Sequence, residues 1–430
     1  MAICVYFLKP LINISGFLFL KICITCYNNF AMQFKLLQFY KVLSNFSTSL
    51  ISAFVPLLIY QETGKLYLSV LCLLLQSVAN ILFTLLLKKW LYEKPQICLM
   101  LRIVPIILFQ VLLVFLAEIP VWAVVGCGIF TGLNYTLKYI PSDIIFAYAT
   151  PPDASTKTLA LSRLSEEIGY VLAGVLGGLF LDYIDYTILI IISLGLYFFG
   201  SLPLVIYYIK NRKQKAFNTE HISNAVVHLE SKPNDGRGKA VIRKITLGYA
   251  LEYMLVGGID VLYSMFTFMV YLSGGSYLTA GILVSVFDGV YGLSTLLVGK
   301  LDELVDLTFY TALSGIVIGV LTVVISFCAG TMLSFVAFEI IAFLWPFLTI
   351  FINQRMLQKA KILGIANDVS TGKQLGSLTG CAFGYLFGLI SVPLIAVVSG
   401  VMTICGGVFL PINEEQTRND MVNYLENNEI

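Results

Sequence analysis

Long apolar runs separated by short polar segments fill almost the whole chain. A helix needs about 20 residues to cross a hydrocarbon core about 30 Å thick, and backbone exposed to lipid must satisfy its own hydrogen bonds. Because the runs are this long and uniformly apolar, they predict transmembrane helices rather than barrel strands. The twelve predicted spans are residues 40–60, 67–87, 97–117, 119–139, 160–180, 187–208, 246–271, 277–298, 307–328, 331–353, 369–389 and 391–411.

Small residues recur at every fourth position in the fifth and eleventh predicted spans. The two ladders are Ser165, Gly169, Ala173, Gly177 and Gly372, Gly376, Gly380, Gly384, Gly388. In a bilayer, small residues at this spacing let two helix backbones approach closely. The ladders begin 207 positions apart, about half of the 430 residues, and the first two spans map onto the seventh and eighth at the same offset. The sequence therefore predicts an all-α polytopic membrane protein made of two six-helix bundles.

Lysine and arginine give an independent test of this topology. If the chain enters from an inside N-terminus, Lys65 is the one basic residue in the outer loops. The inner side receives the basic residues of the central loop together with Lys88, Lys89, Lys94, Lys157, Arg163, Lys300, Arg355, Lys359 and Lys361. Because basic residues concentrate in cytoplasmic loops, we expect a multi-pass protein of the cytoplasmic membrane with both termini in the cytoplasm.

The same pattern divides the chain into five segments. They are an N-terminal extension (1–31), the first bundle (32–209), a polar cytoplasmic linker (210–244), the second bundle (245–411) and a cytoplasmic tail (412–430). Met32 is the expected natural start, because the residues after it give a short basic lead into the first span; an extra surface or anchoring helix in the extension is the alternative. The acidic, polar tail is expected to be poorly ordered.

The composition excludes a soluble globule. Hydrophobic residues make up 58% of the chain and charged residues 12%, with a mean hydropathy of +0.87, against about 45–50% and about 25% in soluble domains. The net charge of +2 does not imply nucleic acid, because the basic residues would meet anionic lipid at one membrane surface. The expected partners are the lipid bilayer and a small-molecule substrate, with protons as a further candidate, and the expected state is a monomer.

No cofactor, metal site or enzymatic activity is predicted. The two histidines, His221 and His228, lie in the polar linker, so no imidazole-based triad or zinc site is expected in the membrane. Six of the nine cysteines lie in predicted spans, where cysteine behaves as a small apolar residue. No phosphate loop with the required spacing occurs, so any active transport would be driven by an ion or substrate gradient.

Four acidic residues fall inside predicted spans of the second half: Glu252, Asp260, Asp288 and Glu339. An ionisable side chain in a span costs several kcal/mol, which makes each of them a functional candidate. Asp288 is the strongest, since it lies about 16 Å from the outer edge of its span. If the four line one cavity, they could bind a cationic group or take up and release protons. The alternative is that each accepts hydrogen bonds from a neighbouring helix and stabilises packing.

A polar pair is repeated near the inner ends of the fifth and eleventh spans. Arg163 precedes Glu166 and Glu167 at a spacing that allows an ion pair, and the residues 207 positions after the two glutamates are Lys373 and Gln374. A structural role explains such pairs, and a gate at the inner mouth is the functional hypothesis.

Amides and one tryptophan complete the candidates. Asn45, Asn80 and Asn134 lie within spans, where an amide can bond a polar substrate or a neighbouring helix. Trp345 lies deep in the tenth span beside Pro346, where it can stack on a substrate or pack in the core.

Two six-helix halves, an inside N-terminus and a long central loop resemble the major facilitator superfamily over about residues 32–411. The fifth span, with Ala173-Gly174-Val175-Leu176-Gly177-Gly178, keeps the terminal glycine pair of that family's Gly-Pro-x-x-Gly-Gly pattern and lacks its proline. The loop after the second span keeps basic residues but lacks the glycines and aspartate of the family motif.

The resemblance implies two bundles that rock about a central site, with spans one, four, seven and ten lining the cavity. That placement would bring Asn45, Asn134, Glu252, Asp260, Glu339 and Trp345 near the substrate. The small-residue faces of the fifth and eleventh spans would slide against the eighth and second, and Asp288 would face that contact in a coupling or gating role.

The leading functional hypothesis is a secondary active transporter that moves a small organic solute by alternating access. Efflux of drug-like or cationic solutes is preferred, because acids outnumber bases within the spans of the second half, and proton-coupled efflux is one form of it. A non-transporting membrane sensor or scaffold on a transporter fold is the alternative. An intramembrane enzyme comes third, since no pair of nucleophile and base is apparent.

Overall fold

A computed structural model describes residues 32–149, 156–213, 236–301, 308–362 and 366–427, and the regular structure in these ranges is helical. The helices are α1 (Met32–Ser52), α2 (Val55–Thr63), α3 (Leu66–Glu93), α4 (Pro95–Leu101), α5 (Ile103–Val114), α6 (Pro120–Ala149), α7 (Thr156–Tyr183), α8 (Tyr186–Lys213), α9 (Gly236–Val256), α10 (Gly258–Leu272), α11 (Tyr277–Leu301), α12 (Thr308–Cys328), α13 (Met332–Ile362), α14 (Ala366–Gly388) and α15 (Val392–Asn427). The predicted extension, residues 1–31, lies outside the described residues.

Three predicted spans are divided into two helices each. The first span breaks between α1 and α2, because Pro56 lacks the N–H that would bond the carbonyl of Ser52. The third breaks at Arg102, three residues before Pro105, and the seventh breaks at Gly257. Each divided pair continues as one crossing, so the described helices form the twelve predicted crossings.

Eleven of these crossings are long and apolar enough to span a membrane by length and composition, among the described residues. The remaining one is α14, a helix of 23 residues, whose first turns carry Asn367, Asp368 and Lys373. At 1.5 Å per residue it is about 35 Å long, enough to cross. Its packing against α3, α9 and α15 places it inside the bundle.

Helix packing repeats between the two halves. In the first half, α1 packs against α7 and α8, which are the fifth and sixth crossings; in the second half, α9 packs against α14 and α15, the eleventh and twelfth. The halves meet where α7 lies along α11 and where α14 lies along α3, again equivalent pairs. The predicted pair of six-helix bundles is thereby confirmed.

The glycine ladders pack within each half. A side chain at Gly169 would meet the carbonyl oxygen of Val42 on α1, and one at Gly376 would meet that of Ala250 on α9. Gly177 and Gly380 make the equivalent approaches to Leu50 and Met254. Backbone therefore lies directly on backbone between the first and fifth crossings and between the seventh and eleventh.

The predicted place of these ladders, on a sliding surface between the halves, is wrong. Gly384 also packs within its own half, against Val261 and Ser399, and of the ladder residues Gly388 reaches the other half, at Val70 of α3. The opposite face of α7 makes the contact between halves, where Gly174 approaches Gly281 of α11. Positions four apart share one helix face, so a ladder selects one partner helix.

Helices cross two of the predicted segment boundaries. Helix α9 begins at Gly236, inside the predicted linker, and α15 continues to Asn427. The tail expected to be poorly ordered is therefore helical as far as that residue.

Candidate substrate cavity

A cavity of about 420 Å³ lies between the two halves. Its wall includes side chains of the first, fourth, seventh and tenth crossings, as the family resemblance implies, and also of α3, α7, α11 and α14. This volume lies within the roughly 300–1,000 Å³ of small-molecule sites. The cavity therefore has the size for a small organic solute and is built by both halves.

Most of the predicted site residues lie on this wall. They are Asn134, Asp260, Trp345, Asp288, Arg163, Glu167, Lys373 and Gln374. The structure thus brings together predicted residues from six separate helices.

Four predicted residues do not line the main cavity. Asn45 and Glu166 border a small adjoining pocket of about 10 Å³. Glu252 is buried at 2% exposure on α9, although the next residue, Tyr253, lies on the cavity wall. Both carboxylate oxygens of Glu339 are buried without a hydrogen-bond partner among the described residues. Successive helical residues point about 100° apart, so membership of a span does not fix which side chains face the cavity.

A buried arginine that the sequence argument overlooked lies on the wall of the first half. Arg102, at the break between α4 and α5, is 1% exposed. Its Nη1 donates to the Tyr40 hydroxyl at 2.8 Å and its Nε donates to the Asn134 Oδ1 at 3.0 Å. The guanidinium also lies 5.9 Å from the Tyr197 ring. No carboxylate of the described residues forms an ion pair with it.

Lys138 on α6 is a second overlooked cation. Its Nζ donates to the Tyr170 hydroxyl at 2.6 Å and lies 5.0 Å from the Tyr139 ring. Both Arg102 and Lys138 fall inside predicted spans, and an ionisable side chain within a span was the signal available in the sequence.

Glu166 joins two cations beside the cavity. Its Oε1 lies 2.7 Å from Lys41 Nζ, and its Oε2 lies 3.1 Å from Arg163 Nη1. The predicted ion pair between Arg163 and Glu166 is therefore confirmed, and Lys41 extends it from α7 to α1. Glu167 instead faces the cavity, and its side chain packs beside Gly292 of α11.

The second half supplies carboxylates and aromatic rings. Asp288, 4% exposed, accepts a hydrogen bond from the Tyr263 hydroxyl. The Tyr263 ring lies 5.2 Å from Phe287 and 6.4 Å from Trp345, measured between centroids. Asp260 is exposed on the wall, and Ser377 donates to its Oδ2 at 3.4 Å. This wall therefore combines negative charge with an aromatic surface.

Contacts between the halves cluster at one end of the bundle, where α2 and α7 meet α10 and α11. The rings of Tyr60 and Phe268 meet edge to face at 5.2 Å, and the Tyr277 hydroxyl bonds Gln61. The Asp182 carboxylate accepts hydrogen bonds from the backbone N–H groups of Tyr277, at 3.1 Å, and Leu278, at 3.0 Å. We call this set the Tyr60 gate.

Two helical bundles around a shared, charged, membrane-embedded cavity define a transporter fold. The family model described as Major Facilitator Superfamily matches residues 39–372. The chain therefore belongs to the major facilitator superfamily, and the predicted resemblance is confirmed. It is accordingly a multi-pass membrane protein.

Solved structures agree on the fold. A bacterial homologue of the iron transporter ferroportin, in an outward-facing state, has a TM-score of 0.59 and 14% identity, covering 90% of this chain and 100% of that one. The human organic anion transporter MFSD10 (TETRAN) has a TM-score of 0.61 and 12% identity, and the match covers 87% of this chain and 98% of that one. The transporter FucP, in an outward conformation, has a TM-score of 0.58 and 14% identity, and the match covers 89% of this chain and 99% of that one. No curated protein sequence matches.

Proposed function

We propose that this protein is a secondary transporter that carries a small organic solute across the membrane by alternating access. The observation that carries the proposal is the cavity shared by both halves, together with the contacts of the Tyr60 gate between the halves at one end of the bundle. In this fold the two bundles rock about a central site. Contacts that close one end must then break as the other end closes.

The side of the membrane follows from the predicted topology. Lys65, the predicted outer basic residue, follows α2 directly, so the Tyr60 gate faces outside. The structure then corresponds to a state closed to the outside. The similar solved structures include an iron transporter and an organic anion transporter, so the fold alone does not select a substrate.

Asp288 is the proposed proton-binding group. It is buried in the cavity wall, and its hydrogen bond comes from the neutral Tyr263 hydroxyl. No cation of the described residues forms an ion pair with it. Because an unpaired charge within the membrane is costly, a bound proton or a cationic group would relieve this site.

Cysteine labelling tests alternating access. A cysteine at Thr131, on the cavity wall, would be introduced into a chain whose native cysteines are replaced. We expect a membrane-impermeant thiol reagent to label it from the cytoplasmic side in one state and from the outside in the other. A cysteine at exposed Glu118, in the turn between α5 and α6, serves as a one-sided control. Labelling of residue 131 from one side under every imposed gradient would favour the sensor or scaffold alternative.

Proton coupling is tested in liposomes. A pH gradient is imposed, a solute library is screened for proton movement, and Asp288→Asn is compared with Glu93→Gln, an exposed acid outside the cavity. We expect Asp288→Asn to uncouple proton flux from solute flux. Unchanged coupling would contradict the role of Asp288 and leave transport itself standing.

A further inference from the structure

The cationic side chains around the cavity differ in their partners. Lys41 and Arg163 share the carboxylate of Glu166. Arg102 and Lys138 bond neutral hydroxyl and amide oxygens, and neither forms an ion pair within the described part of the chain. Burying a charge without a counterion is strongly unfavourable, so this pair requires an explanation beyond packing.

The described acids of the first half do not balance these charges. Four cations of that half, Lys41, Arg102, Lys138 and Arg163, border the two adjoining pockets, together with two of its carboxylates, Glu166 and Glu167. Even if the negative charge of Glu167 is assigned entirely to Lys138, the positive charge of Arg102 has no counterion among these residues. The described residues of the first half therefore present an excess of positive charge to the cavity.

Both cations keep donors available. A guanidinium has five N–H groups and an ammonium has three. Arg102 uses one at Asn134 and one at Tyr40, and Lys138 uses one at Tyr170. The remaining N–H groups, in two side chains that line the same cavity, suit the oxygens of a carboxylate or phosphate.

We infer that Arg102 and Lys138 form a binding subsite for an anionic group of the transported solute. The inference rests on the proposed function and names the substrate class as small organic anions, in place of the cationic solutes favoured by the sequence. Asp260 and Asp288 lie on the wall formed by the other half. Because their carboxylates repel an anion, they fix the orientation of the solute in the cavity. The apolar body of the solute then lies against Tyr263, Phe287 and Trp345.

Ligand-dependent thermal unfolding of the purified protein tests the subsite without requiring flux. The panel contains 3-phenylpropanoate and phenyl phosphate as anions, phenylalanine as a zwitterion and phenethylamine as a cation, alongside further small carboxylates and phosphates with their amine analogues. A bound solute raises the unfolding temperature by mass action. We expect anions to stabilise the protein and phenethylamine not to. Among the phenyl compounds, stabilisation by phenylalanine alone would count against the subsite, because it would show that binding requires the ammonium group.

Variants locate the binding. Arg102→Gln and Lys138→Gln should each weaken anion binding about tenfold or more, because each removes a charged hydrogen-bond donor. Arg102→Lys should restore part of it, which separates lost charge from misfolding. Lys300→Gln, an exposed cation outside the cavity, should bind as the parent does.

The outcomes separate the two proposals. Stabilisation by cations alone, by no anion of the panel, or by anions equally well in Arg102→Gln and Lys138→Gln would overturn the anion subsite, even if liposomes showed solute flux. Anion binding that depends on Arg102, without flux of the same anion in liposomes, would support the subsite and overturn the transport proposal.

Discussion

The hydroxyl oxygen of Tyr263 lies 3.0 Å and 3.1 Å from the two carboxylate oxygens of Asp288. One hydrogen is thus shared between both oxygens of an acid buried in the membrane. The tyrosine is on α10 and the aspartate on α11, so the bond also joins the seventh and eighth crossings. Loss of this hydrogen bond should change proton binding at Asp288 more than it changes the stability of the fold.

Tyr263→Phe tests that relationship. The substitution keeps the ring that packs on Phe287 and removes the donor to Asp288. Since a hydrogen bond to a charged group contributes about 1.5–3 kcal/mol, its loss should favour proton binding at Asp288, and we expect the pH dependence of solute transport to shift to higher pH by about one unit or more. Tyr67→Phe, on a half-exposed ring away from the cavity, is the control. The same pH dependence in parent and variant would remove Tyr263 from the proton site.

The glycine ladders predict a contrast between two Gly→Ala substitutions. Gly376→Ala places a methyl group against the Ala250 carbonyl, whereas Gly195→Ala meets nothing within 4 Å. Overpacking costs about 1–3 kcal/mol, and alanine in an open helix position gains up to about 1 kcal/mol. The unfolding temperature in detergent should therefore fall for Gly376→Ala and stay level or rise for Gly195→Ala. The opposite order would show that the backbones of α9 and α14 are not in direct contact.

Glu166 should contribute far more to stability than an exposed acid in a similar pair. Its side chain is 10% exposed and binds two cations, whereas Glu93, 55% exposed, lies 3.8 Å from Lys89. Removing one partner of a buried ion pair costs about 3–5 kcal/mol, and an exposed pair contributes about 0–1 kcal/mol. We expect Glu166→Gln to lower the unfolding temperature clearly and Glu93→Gln to leave it nearly unchanged; equal effects would contradict burial of the Lys41–Glu166–Arg163 cluster.

Asp182→Asn should loosen the Tyr60 gate. The carboxylate satisfies the first N–H groups of α11 from the other half of the protein, and helix N-cap contacts contribute about 0.5–2 kcal/mol. We expect a cysteine at Thr267, on the cavity wall, to react several times faster with a reagent added on the gate side.

Asp185→Asn provides the matched control for this gate. Its Oδ1 accepts a hydrogen bond at 2.6 Å from the N–H of Thr187 in the first turn of α8, within its own half, and the Thr187 hydrogen bonds lower the pKa of its carboxyl group. The control therefore also replaces a carboxylate that is charged at neutral pH. If both variants increased labelling equally, the effect would come from lost surface charge and not from the cap on α11.

The topology could be predicted because it depends on quantities that the sequence carries directly. The length of each apolar run, the placement of basic residues and the repeat at 207 positions suffice for twelve crossings and two bundles. The Arg163–Glu166 pair followed from helical spacing alone. The break at Arg102 could also have been anticipated, since Pro105 follows it.

The cavity wall could not be predicted to the same degree, because helix rotation decides it. Thr48 lines the cavity and Asn45, three residues earlier on α1, packs toward Gly169 of α7. In the same way, Tyr253 lies on the cavity wall and its neighbour Glu252 does not. Such distinctions depend on which partner helix lies behind each face, and that is set by packing between segments more than 100 residues apart in the sequence.

The backbone contacts at the glycine ladders also limit how this protein can change over evolutionary time. A side chain at Gly169 or Gly376 would displace a neighbouring helix rather than another side chain, so no compensating substitution nearby can make room for it. Sequences of natural relatives should therefore keep glycine at these two positions while tolerating varied residues at Gly195. Such a record of tolerated substitutions would identify the directly packed helix pair of each bundle without any further structure.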